Sequence, residues 1–148
     1  MSTGLTPFDS TVQTTHVWLN ELMALTGWQD PHPAYLALRA VLHALRDRLS
    51  VDEAAALGAQ LPMLVRGFYY EGWHPHGKPL RERTREEFLA HVRASFPQDS
   101  GLHPELAARA VFQVLIGHVT AGQVEKVKNA LPGEIRSLWP EEVPALSL

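Results

Sequence analysis

A chain of 148 residues with 45% apolar and 20% charged side chains has ordinary globular composition, enough to bury about two-thirds of its unfolded surface. A net charge of −3 argues against whole-surface attraction to nucleic acid or acidic membranes, and the absence of cysteine excludes disulfides, thiol nucleophiles and thiolate metal sites. No apolar run approaches the ~18 residues of a membrane span, and Met1 to Leu25 has neither a basic start nor an apolar h-region, so the expectation is a cytoplasmic chain with no signal peptide and no membrane partner.

Met1 to Pro7 reads as a leader. Asp9 can cap a helix, and Phe8, Val12, Thr15, Leu19 and Leu22 then recur at four- and three-residue spacing on one face, widened by Trp18 and Leu25. This first helix should be half buried and end near Gly27. Asp30-Pro31 and His32-Pro33 predict the start of a second helix running to about Arg48, apolar nearly all round except for Arg39, His43, Arg46 and Asp47. Ser50-Val51-Asp52-Glu53 has the form of a capping box, followed by an alanine-rich helix to about Gln60. Pro62 then opens a helix carrying Met63, Leu64, Val65 and Phe68 toward Tyr69, Tyr70 and Trp73.

Gly72, Pro75, Gly77 and Pro79 break any regular element between Gly72 and Arg83. Thr84 to Glu87 is a second capping box, opening a helix through Phe88, Leu89 and Val92. Glu105 to His118, Thr120 to Gln123 and Pro132 then repeat the long helix, the box and the proline start, and Val143 to Leu148 is a tail.

That repetition extends across most of the chain. Shifted by 70 positions without a gap, Leu36, Ala37, Arg39, Ala40, Val41, Leu45, Leu61, Pro62 and Arg66 meet Leu106, Ala107, Arg109, Ala110, Val111, Leu115, Leu131, Pro132 and Arg136. A self-match this long is the mark of duplication. The expected fold is therefore all-α, a single domain over residues 1–148. It has about eight helices in two four-helix halves, about 9–78 and 79–140, sharing one core about a pseudo-twofold axis.

The blocks Phe8 to Leu22, Leu36 to Leu49, Leu57 to Trp73 and Pro79 to Val92 resemble the prokaryotic domain of unknown function 2267, with Gly67-Phe68-Tyr69-Tyr70-Glu71-Gly72-Trp73 the most specific part. The resemblance implies an all-helical bacterial or archaeal protein. It carries no assigned catalytic residues.

Candidate chemistry is concentrated after the fourth helix. Glu71, His74 and His76 are the nearest approach to a metal site, but two imidazoles and one carboxylate fall short of a stable ligand set; the plainer reading is a pair of solvated loop histidines. Tyr69, Tyr70 and Trp73, with Lys78 and Arg83, could stack and neutralise an anionic ligand, although Glu71, Glu82, Glu86 and Glu87 cancel much of the field. The plainer reading closes the core with the aromatics. Trp73, which has no repeat counterpart, should then be largely buried with a partner for its indole N–H.

Ser50 to Val65 lacks any basic residue, so a helix-turn-helix reading fails there and nucleic acid is an unlikely partner. Serines fall at caps, loops and termini, no glycine-rich phosphate loop is present, and no catalytic constellation or cofactor motif is found. Arg39, Arg66, Arg109 and Arg136 are expected to bind helix-end carbonyls or carboxylates such as Glu21. The functional expectation is a non-catalytic binding or regulatory module acting through a protein partner or self-association. The alternative is a small-ligand or metal-binding protein using residues 69–78, or a weak nucleic-acid binder.

Overall fold

The computed structural model describes residues 2–98 and 100–141. Within them lie eight helices and no strand: α1 (Thr6–Thr26), α2 (Pro31–Arg46), α3 (Val51–Gly58), α4 (Met63–Tyr70), α5 (Arg85–Ala94), α6 (Pro104–His118), α7 (Ala121–Ala130) and α8 (Gly133–Arg136). The tail from Val143 to Leu148 lies outside the described residues.

Most boundaries follow from capping chemistry. Asp30 accepts from His32 N at 2.9 Å and starts α2. Ser50 and Glu53 form the reciprocal box at α3, and Thr84 and Glu87 form it at α5. At α7 only half of that box forms. Thr120 Oγ1 accepts from Gln123 N, while the backbone N–H of Thr120 turns to Gln60 Oε1 at 2.9 Å and Gln60 Nε2 donates to Thr120 Oγ1 at 3.1 Å. A glutamine from the first half thus completes the cap of the second, joining α3 to α7.

The start of α1 differs from the expectation. Its N-cap is Leu5, and Pro7 occupies the first turn, where its missing N–H costs nothing. Asp9 sits inside the helix and reaches back, accepting from Thr3 N at 2.7 Å and from the hydroxyls of Thr3 and Ser2. Those bonds, the Thr3 backbone first, hold its carboxyl below the usual range.

The buried apolar side chains form one cluster drawn from both halves. Its centre is α2 against α6, two helices rich in alanine where backbones approach closely. Around them the pairings come in exchangeable sets: α1 packs on α2 and α6, α5 on α6 and α2, α1 also on α4, and α5 on α8, while α3 meets α7. Exchanging the halves leaves these contacts in place, but the packing of α4 on α2 and α3, and of α7 on α6, has no equal in the other half. Residues 51–70 and 121–140 run through the same sequence of buried, half-buried and exposed positions, with one difference, buried Gly58 against half-buried Lys128.

Candidate functional site

The C-terminal end of α2 carries the densest polar cluster near the core. Arg46, 4% exposed, donates through Nη1 to the carbonyls of Tyr69 (2.7 Å) and Glu71 (3.0 Å) and through Nε to Asp47 (2.9 Å). Those carbonyls end α4 and have no helical partner, so a buried guanidinium satisfies them where water cannot. His43 lies half buried one turn earlier, and its Nε2 is 2.6 Å from Phe68 O, which can only accept; the ring is therefore the Nε2–H tautomer. Burial, more than the nearby Arg46 and Arg39 charges, lowers the His43 pKa, against the opposing bond to Phe68.

Arg48 continues the cluster outward. Its Nη1 donates to Ala44 O (2.9 Å) and its Nη2 to Glu82 Oε1 (3.1 Å), and its guanidinium lies 5.1 Å from the centroid of the Phe88 ring. Glu82 is shared with His91 at 2.7 Å. Leu80 N donates to Asp47 O at 2.8 Å, so the segment after the loop is tied to the end of α2 as well. The cluster therefore joins α2, α4, the connecting segment and α5 where the two halves meet.

The expected aromatic site divides into a core residue and a lid. Tyr69 is fully buried, and its hydroxyl donates to Ala54 O at 2.7 Å; desolvation drives its pKa far up, so the phenol stays neutral. Tyr70 packs across it with ring centroids 4.9 Å apart, and Trp73 follows at 5.3 Å from Tyr70. Trp73 is half buried rather than largely buried. Its backbone N bonds Tyr70 O at 3.0 Å and Gly72 takes a φ of 73°, closing a turn that lays the indole over Tyr70 instead of driving it between the halves. The indole N–H has no partner among the described residues.

The remaining expected ligands sit apart from these rings' buried faces. Glu71 is committed to Arg39, with Nη2 to Oε1 at 2.7 Å, and that bond lowers its pKa. His74, His76 and Arg83 are exposed, and Lys78 is half buried with its backbone N bonded to Pro75 O. Among the described residues no group of three His, Asp or Glu side chains is placed to share a metal ion. The paired arginines behave as expected in kind: Arg66 and Arg136 bind helix-end carbonyls, and Arg39 and Arg109 bind Glu71 and Glu105. Glu21 meets His118 instead, which also stacks on Trp18.

The start of the α1 face expected to be buried is open, and it is joined by open apolar side chains of α4. Phe8 is 48% exposed and Met63 49%, with Val12 and Leu64 also open. The periodic face of α1 is covered at Thr15, Trp18, Leu19 and Leu22, where α2, α4 and α6 pack on the helix; Leu25, expected to widen that face, is 48% exposed. Leu64 N donates to Thr11 Oγ1 at 2.9 Å, and Phe8 and Val12 flank Thr11 on the helix, so the open apolar side chains of α1 and α4 share one surface.

Sequence reasoning also did not single out Arg48. The signal available was contrast: Arg46-Asp47-Arg48 is replaced at the shifted positions by Ile116-Gly117-His118. No helix among the described residues is long and apolar enough to cross a membrane. A family model described as an uncharacterized conserved protein (DUF2267) matches residues 15–138, and the chain belongs to that family. No curated protein matches it.

Proposed function

We propose, on the premise of that family membership, that this protein is a non-catalytic helical module of the cytoplasm whose two halves arose by duplication and whose first half binds a protein partner. The observation that carries this reading is the apolar surface of Phe8, Val12, Met63 and Leu64, held together by the Leu64–Thr11 bond. Single exposed apolar side chains are ordinary on any protein, whereas a contiguous group marks an interaction site. The second half supplies the contrast. At the positions of Met63 and Leu64 it has Gly133 and Glu134, and Glu134 accepts from Arg85 N at 3.0 Å, within its own half. Phe8 and Val12 lie before the stretch matched by the family model, residues 15–138.

A photo-crosslinking residue at Met63, and another at Glu134 as the equivalent position in the other half, tests the reading in intact cells. The expected outcome is one discrete protein adduct from position 63, lost when Phe8→Glu is added, and none from position 134. An adduct of twice the chain mass identifies the partner as a second copy. Equal labelling from both positions, or none from position 63, overturns the proposal.

A further inference from the structure

We propose that the cavity between residues 79–83 and the turn joining α7 to α8 binds a phosphoryl group, either as free phosphate or as the head of a small phosphorylated molecule. The cavity measures about 330 Å³ and is lined by Arg48, Leu80, Arg81, Glu82, Arg83 and Pro132, among others. Its size falls at the lower end of small-molecule sites, roughly 300–1,000 Å³.

Charge is the first argument. Three guanidinium groups line the cavity against one carboxylate, Glu82, whose Oε1 is already engaged by both Arg48 and His91. Glu87 and Asp47 also act on Arg48, so the charge left without a carboxylate partner is that of Arg81 and Arg83. The second argument is an unmet donor. Arg48 is 4% exposed, and its Nε, without solvent contact, has no hydrogen-bond partner among the described residues. A buried donor left unpaired costs free energy, which an anion would recover once the Arg48 side chain turns outward to meet it. Arg81 and Arg83, both exposed, are free to close over an oxyanion in the bidentate manner that suits phosphate.

The third argument concerns the rest of the ligand. Pro79, Leu80, Ala130 and Pro132 give the cavity an apolar wall beside the arginines. A phosphate monoester with a small apolar or planar group would use both. Neither the expected metal loop nor the apolar surface of α1 and α4 contributes to this site, so it stands apart from the partner surface proposed above.

The test is a titration of the ¹⁵N-labelled full chain with inorganic phosphate and, separately, with phenyl phosphate, at constant ionic strength held by chloride. Saturable shifts of the Leu80 to Arg83 amides are expected in both, with phenyl phosphate the tighter ligand. Arg81→Gln and Arg83→Gln should each weaken binding about tenfold, the loss of one charge-assisted contact. Both side chains are exposed, so these variants should fold as the wild type does, and Arg93→Gln, outside the cavity lining, should bind normally. Saturation by inorganic phosphate alone would assign the site to the free ion. Shifts that fail to saturate, that chloride reproduces, or that survive both cavity substitutions would overturn the proposal.

Discussion

Arg66 and Arg136 stand 70 residues apart and bind the same two positions of their respective halves. Arg66 donates to Gly58 O and Leu61 O, both at 2.8 Å, and Arg136 to Lys128 O and Leu131 O, both at 3.0 Å. Each acceptor is displaced by the same 70 positions, so the halves share a contact that fastens a short helix to the one before it. Where the central helices end, the likeness stops. The first half has His43, Arg46, Asp47 and Arg48 there, and the second has Gln113, Ile116, Gly117 and His118. The lesson of the comparison is positional: this arginine clamp is held in common, whereas the packing of α4 on α2, the polar cluster, the apolar surface and the basic cavity are not repeated.

The largest expected effect is at Arg46. Arg46→Ala strands the carbonyls of Tyr69 and Glu71, and at about 1–3 kcal/mol for each unsatisfied buried group the cost should be about 3 kcal/mol. Ile116→Ala, at the corresponding exposed position, should cost less than about 1 kcal/mol. Urea unfolding with unchanged slope reads both. Equal costs would mean that the cluster adds nothing the second half lacks.

A smaller effect should appear at the one position where the burial patterns of residues 51–70 and 121–140 part. A Cβ on Gly58 would stand 2.8 Å from Cζ of Tyr70 and 3.0 Å from Cε2 of Tyr69, two rings packed edge-to-face, of which Tyr69 is fully buried. Gly58→Ala should therefore destabilise by about 1–3 kcal/mol despite the better helix propensity of alanine. In the second half Pro140 replaces Tyr70, so Lys128 has no such neighbour and Lys128→Ala should be nearly neutral. A Gly58→Ala variant as stable as the wild type would show that the Tyr70 lid yields freely, and would weaken the separation of core and lid.

Much of this fold was legible because it is written locally. Asp30 with its prolines, the boxes at Ser50 and Thr84 and the shift of 70 each depend on residues close in sequence, or on a pattern that needs no coordinates. Burial was less legible. The spacing of Phe8 and Val12 says that they share a face, but whether anything covers that face depends on how α2, α4 and α6 pack along α1. Trp73 was misjudged for a related reason, since a turn three residues long decides which way its indole points. The cluster at the end of α2 was hidden because the acceptors of Arg46 lie 23 and 25 residues away, and composition cannot show which arginine goes inside.

The smallest and most selective effect is on pH dependence, and it too comes from a difference between the halves. Burial lowers the His43 pKa below its ordinary value of about 6.5, so between the folded and unfolded values the unfolded chain holds more protons. Stability should then be full above about pH 6.5 and decline as pH falls below it, levelling off once the folded-state pKa is passed. The carboxylates with lowered pKa, Glu71, Glu87, Glu105 and Asp9, act in a separate window. Their contribution is present above the unfolded carboxyl value, about 4, and is lost only as pH falls below it. The second half has Gln113 where the first has His43, which suggests the substitution. His43→Gln keeps an N–H donor for Phe68 O but cannot take up a proton. Thermal unfolding of the wild type should show a midpoint that falls as pH drops below about 6.5, and the variant should show a shallower fall there before both decline in the carboxylate range. The same slope in wild type and His43→Gln would place the titration elsewhere, and the half-buried imidazole would then be only a hydrogen-bond donor that any amide can replace.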